Sequence, residues 1–132
     1  MASGLVLYYS RSGNTRQMAE TIAKAMDDAG VPTKCKSVSD TKVDDLLEAD
    51  AIVVGSPTYY GRMAAPVAQL FDESVSKHGK LEGKIGAAFS SAANIGGGNE
   101  TTILNITETL LVHGMVIQGD PQGDQAREEA VA

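Results

Sequence analysis

Three stretches of this chain bring hydroxyls, glycines and aromatic rings together at spacings that suit a ligand. The first is Ser10-Arg11-Ser12-Gly13-Asn14-Thr15, which stands just ahead of a helical pattern. Its hydroxyls, its glycine and the free N–H groups of a helix start suit a phosphate dianion without any lysine. A Ser12 that merely caps the helix is the plainer reading. The second stretch is Ser56-Pro57-Thr58-Tyr59-Tyr60-Gly61-Arg62-Met63. Adjacent tyrosines there could flank a flat heterocycle while backbone groups bond to its polar edge. Alternatively this is a surface turn, with a tyrosine packed on a neighbouring helix. The third is Ser90-Ser91-Ala92-Ala93-Asn94-Ile95-Gly96-Gly97-Gly98-Asn99. Consecutive glycines are entropically costly, so they point to close approach of the backbone to a ligand, the alternative being a loose loop.

The elements that must position these loops follow from periodicity. Residues 4–9 form an almost continuous apolar run, as in a strand covered on both faces. Residues 14–29 read as a helix with Met18, Ile22 and Met26 on one stripe, closed by Gly30 and Pro32. Residues 33–38 form a more polar strand, expected near an edge, and 43–47 a short helix. Residues 51–55 are a third strand. Pro66 opens a helix over 66–75, in the first turn where its missing N–H is harmless. A strand at 85–89, a helix at 99–112 carrying Ile103, Ile106, Leu110 and Leu111, and a strand at 115–117 follow. Residues 124–132 read as a closing helix of about two turns. Strands alternating with helices mean an α/β domain built of right-handed βαβ units. In such a sheet, ligands sit beyond the carboxyl ends of the strands, where the strand order reverses. All three loops lie at those ends.

Composition narrows the function classes. The 132 residues suit one domain, and 42% apolar with 21% charged residues describes an ordinary folded chain. A net charge of −6 argues against a nucleic-acid partner. No apolar run approaches the roughly 20 residues of a membrane span, and no basic, signal-like stretch precedes the first strand. The single cysteine, Cys35, reads as a quiet thiol on the second strand, and the cytoplasm is the default compartment. Neither GxxxxGK[ST] nor GxGxxG occurs, which argues against ATP and a Rossmann dinucleotide, and no HExxH or CxxC suggests a metal.

Taken together, the loops resemble the flavodoxin-like family, and most closely its WrbA-type NAD(P)H:quinone oxidoreductases and short flavodoxin relatives. The matching stretches are Gly55-Ser56-Pro57-Thr58-x-x-Gly61, Phe89-Ser90-Ser91 followed by Gly96-Gly97-Gly98-Asn99-Glu100, and Val112-His113-Gly114-Met115-Val116-Ile117. The resemblance implies a three-layer sandwich whose five-stranded parallel sheet runs in the order 2-1-3-4-5. It implies FMN, with Ser10, Arg11, Ser12, Gly13, Asn14 and Thr15 on the phosphate. Pro57, Thr58 and Tyr59 would line the isoalloxazine, beside Tyr60 and Gly61. Ser90, Ser91, Ala92, Ala93, Asn94, Ile95 and Gly96 would run along the flavin edge and ribityl chain. His113 matches a position that reaches the flavin site from the end of the fourth helix, sometimes across a subunit interface. Its other reading is a helix C-terminal residue favoured by the dipole. His78 has no family match and reads as solvated.

The chemistry implied is transfer of two electrons from NADH or NADPH to a quinone through the flavin, with no side chain required as acid or base. The third loop offers no aromatic ring, so one flavin face is expected to be open to a nicotinamide or quinone. A one-electron carrier docking to a redox protein, and a flavin-free binding module, are the competing classes. A homodimer or homotetramer is implied by the resemblance alone. The chain departs from the pattern in lacking Trp, in its short segment Lys77-His78-Gly79-Lys80-Leu81, and in the brief Gln118-Gly119-Asp120-Pro121-Gln122-Gly123 that follows the fifth strand.

Overall fold

The computed structural model describes residues 2–94 and 96–120. Its strands are β1 (Gly4–Tyr8), β2 (Thr33–Ser37), β3 (Ala51–Pro57), β4 (Ile85–Ser91) and β5 (Val116–Ile117). The helices are α1 (Asn14–Asp28), α2 (Val43–Glu48), α3 (Ala65–Glu73) and α4 (Asn99–Val112). All strand pairs are parallel and run in the order β2-β1-β3-β4-β5, as expected. The chain leaves β1 towards β2 on one side and then returns to pair β3 on the other. The order therefore reverses between β1 and β3, and the crevice for a ligand opens there.

Alternation along the strands sorts two apolar layers. Leu5 and Leu7 stand beside Ile52 and Val54 in register. They pack with Leu46, Val67, Leu70, Ile106 and Leu110 from α2, α3 and α4. On the opposite face, Val6 and Phe89 meet Ala19 and Ala23 of α1. The stripe expected on α1 is thus rotated. Thr15, Ala19 and Ala23 are its buried residues, while Met18 is exposed. Small side chains let the helix lie close to the sheet, and Phe89 fills the remaining space. That ring crosses Gly55, where a Cβ would lie only 2.0 Å from Phe89 Cζ.

Several boundaries differ from the sequence reading, each for a local reason. β3 and β4 run on to Pro57 and Ser91 because they continue to pair with each other after β1 has ended. The helix expected over 66–75 begins at Ala65, with Pro66 in its first turn, and ends at Glu73. A 3₁₀ turn, Ser74–Lys77, follows. There the Ser74 hydroxyl donates back to the Phe71 carbonyl at 2.6 Å and tightens the chain. On α4, Ile106 and Leu110 face the core as expected, but Leu111 is exposed and Thr102 is buried in its stead. The closing helix expected at 124–132 lies outside the described residues. No helix among the described residues is long and apolar enough to cross a membrane.

Candidate functional site

The loop after β1 shapes the phosphate end of the crevice. Gly13 is the residue that precedes α1, at φ +96°, a left-handed conformation that glycine adopts without penalty. The expected Ser12 cap is not formed. No side chain caps the first turn of α1, and Ser10 Oγ instead accepts the Gly13 N–H at 3.0 Å. Ser10 thereby bends the loop back on itself. The first N–H groups of α1 are left for an anion, at the positive end of the helix dipole.

Beyond β3 the chain makes a tight hairpin. Tyr59 and Arg62 exchange backbone hydrogen bonds of 3.0 and 3.3 Å. Between them, Tyr60 and Gly61 take φ of +52° and +75°, the signs of a type I′ turn. This geometry separates the two tyrosines. Tyr59 turns inwards and meets Tyr9 edge-to-face, with ring centroids 6.3 Å apart. Tyr60 stands fully in solvent. Ser56 anchors the hairpin from below, since its buried hydroxyl donates to the Pro57 carbonyl and accepts the Ala64 N–H, both at 2.8 Å.

The loop after β4 is stitched to both others. Thr15 Oγ1 and Ser91 Oγ lie 3.0 Å apart, Thr58 Oγ1 and Ser90 Oγ 2.9 Å apart, and the Thr58 N–H donates to the Ser91 carbonyl at 2.8 Å. Gly98, at φ +106°, precedes α4. A Cβ there would lie 3.0 Å from Gly61 Cα and 3.1 Å from Thr58 Cγ2. Close backbone approach was the meaning expected of the glycine run. At Gly98 the neighbour is the second loop, so glycine brings two loops together.

The three loops enclose one cleft of about 500 Å³. Arg11, Ser12, Asn14 and Thr15 form one end, Pro57, Thr58 and Tyr59 one wall, and Ser91, Ala92 and Ala93 the other. Every one of these ten residues was expected from the sequence. Ser10, Gly13, Ser90 and Gly61 shape the cleft from behind rather than line it. Tyr60 faces a separate groove between α3 and α4. Asn94 and Gly96 are exposed beyond the rim, and Ile95 lies outside the described residues.

His113 is not brought to these loops within one chain. α4 runs back along the sheet, so its last residues sit at the opposite end, where the Gly83 N–H donates to the Gly114 carbonyl at 2.9 Å just before β4 begins. His113 is buried against Phe71, with Nε2 2.8 Å from Ser74 Oγ. Ser74 gives its one proton to Phe71, so Nε2–H donates and Nδ1 keeps a buried lone pair with no partner. Burial, with His78 beside it, holds the His113 pKa below the usual histidine value.

Two positions escaped the sequence reading. Tyr9 backs Tyr59, a role visible only once both strand ends are placed together. Asn99 keeps a buried Oδ1 with no partner at the start of α4, and nothing in its sequence context distinguishes it from an ordinary helix-start residue.

The cleft fits FMN on several counts. An uncapped helix start and neighbouring hydroxyls suit a phosphate, and a flat slot between Tyr59 and two alanines suits a ring system. Its volume falls within the roughly 300–1,000 Å³ usual for cofactor sites. A parallel sheet of this order with such a cleft at its switch point defines a flavodoxin-like protein. The flavodoxin domain family matches residues 5–101, and the chain belongs to that family. An NAD(P)H dehydrogenase (quinone) of Gluconacetobacter diazotrophicus is 39% identical over 96% of this chain and 75% of its own. One of Paraburkholderia phymatum is 40% identical over 95% and 74%. A solved flavodoxin from the domain Archaea is 38% identical, covers 90% of this chain and 79% of its own, and superposes with a TM-score of 0.78.

Proposed function

We propose that the chain binds FMN in the three-loop cleft and acts as an NAD(P)H:quinone oxidoreductase. The observation that carries this reading is the convergence of all three loops on one slot whose phosphate end is an uncapped helix start. The α1 N–H groups, with Ser12, Asn14 and Thr15, would hold the phosphate. Pro57, Thr58, Tyr59, Ser91, Ala92 and Ala93 would hold the ring system. Bound FMN supplies the capacity to take two electrons from NADH or NADPH and deliver them to a quinone.

The protein's own part is placement and access. Tyr59, fixed by Tyr9, gives one firm aromatic wall. Ala92 and Ala93 give a low one, which leaves room for a second flat molecule. The Thr15–Ser91 contact holds the walls at a set separation. The similarity to quinone dehydrogenases supports this activity, whereas the archaeal flavodoxin supports an electron carrier that docks to a redox protein. Anaerobic mixing of FMN-loaded protein with NADPH or NADH decides between them. Rapid bleaching of the flavin absorbance, restored by a quinone, is expected of the enzyme. Absence of bleaching with both donors would remove the enzyme reading and leave the carrier. The exposed Leu104, Leu111 and Val112 of α4 are suited to burial in the homodimer or homotetramer that the family likeness suggests.

A further inference from the structure

A second cavity, of about 690 Å³, adjoins the cleft on the β2 side of the sheet. Arg11 borders both cavities. It makes no ion pair among the described residues, so its charge is available on the ridge between them. Arg16 adds a second cation at the same end, oriented by Glu20 at 2.9 Å. Ser37 and Ser39 from the end of β2 bring hydroxyls to this cavity. On the α3 side it is bounded by the apolar Leu70 and by Glu73, whose carboxylate accepts from Gln69 at 3.4 Å.

We propose that this cavity receives the adenosine-phosphate end of the pyridine dinucleotide, while the nicotinamide end reaches the flavin cleft. The inference rests on the hydride-donor reading above and adds to it a place for the half of the donor that does no chemistry. Charge distribution is the argument. A ligand spanning two neighbouring cavities with a free arginine on their common ridge should be anionic in its middle, as a dinucleotide is at its pyrophosphate. Guanidinium groups bind phosphate oxygens with charge-assisted, geometrically matched hydrogen bonds. A carboxylate and an amide at the far end suit the hydroxyl and amine donors of an adenosine, and Leu70 gives its base an apolar surface. A mononucleotide bound at either cavity would leave the other unused.

ADP serves as the probe, titrated into protein already saturated with FMN so that the flavin phosphate loop is not available to it. Amide NMR shifts should saturate at residues 37–41 and 69–73 and at Tyr9. Added salt should weaken the binding. Ser39→Glu, an exposed position outside the flavin cleft, should weaken ADP at least tenfold and raise the NADPH KM similarly. FMN affinity and kcat should be unchanged. No ADP shifts at these residues, in protein that NADPH does reduce, would overturn this inference alone. Saturable ADP shifts there in protein that neither NADPH nor NADH reduces would retain an adenosine-phosphate site and overturn the donor reading.

Discussion

Replacing Gly55 by alanine drives a methyl group into the ring of Phe89. The new Cβ would lie 2.0, 2.2 and 2.5 Å from Phe89 Cζ, Cε2 and Cε1, where ordinary contact begins near 3.4 Å. The ring must therefore retreat by more than 1 Å. It has little freedom to do so, because it is packed with Val6, Ala19 and Ala23. Overpacking of this kind costs about 1–3 kcal/mol. Complete expulsion of the ring approaches the roughly 3–5 kcal/mol lost in a Phe→Ala truncation. We expect Gly55→Ala to cost about 2–4 kcal/mol. For a chain of this length that lowers Tm by roughly 10 °C. Urea unfolding with an unchanged m value measures it. Phe89→Leu, which removes the clash, should couple strongly, so that the double variant is at least about 1 kcal/mol more stable than the sum of the singles. A Gly55→Ala cost below about 1 kcal/mol, additive with Phe89→Leu, would refute the packing argument.

Three further outcomes follow from single contacts. Lys84 Nζ donates to the Leu47 and Ala49 carbonyls at 3.1 and 2.6 Å, closing the end of α2. Lys84→Met should cost about 1–3 kcal/mol in chemical denaturation, since bonds to a charged donor are the stronger kind. Tyr60 holds a positive φ with its ring in solvent, so Tyr60→Gly should raise stability by up to about 1 kcal/mol in the same assay. The depressed His113 pKa makes the folded state bind fewer protons than the unfolded chain. Stability is then full above the ordinary histidine value of 6.5 and falls as pH drops through and below it. Urea midpoints at pH 7.5 and 5.5 should differ less in His113→Gln than in the parent.

The cleft was legible in the sequence because βα loops of an open parallel sheet have a fixed address. Once the alternation of apolar strands and helices is read, residues 10–15, 56–63 and 90–99 must share one end of the sheet. Which side chains face inwards was less legible. The I′ turn that sends Tyr59 in and Tyr60 out depends on two positive φ values, and adjacent tyrosines in a sequence do not reveal which one turns. The stripe on α1 was misread for a similar reason. Hydrophobicity favoured Met18, whereas the sheet surface, already occupied by Phe89, accepts only the smaller Ala19 and Ala23. His113 shows the limit of motif matching. Its helix direction puts it at the far end of the sheet in its own chain, so any part in a flavin site depends on a second copy.

FMN titration of the purified, flavin-stripped protein tests the central claim most directly. The cleft predicts quenching of FMN fluorescence that saturates at one FMN per chain. It also predicts that Gly13→Val, which imposes a side chain on φ +96° at the start of α1, weakens FMN at least tenfold while leaving riboflavin, which has no phosphate, little affected. Unquenched fluorescence at a large excess of protein, or equal losses for FMN and riboflavin, would contradict the assignment of the cleft and of its phosphate end.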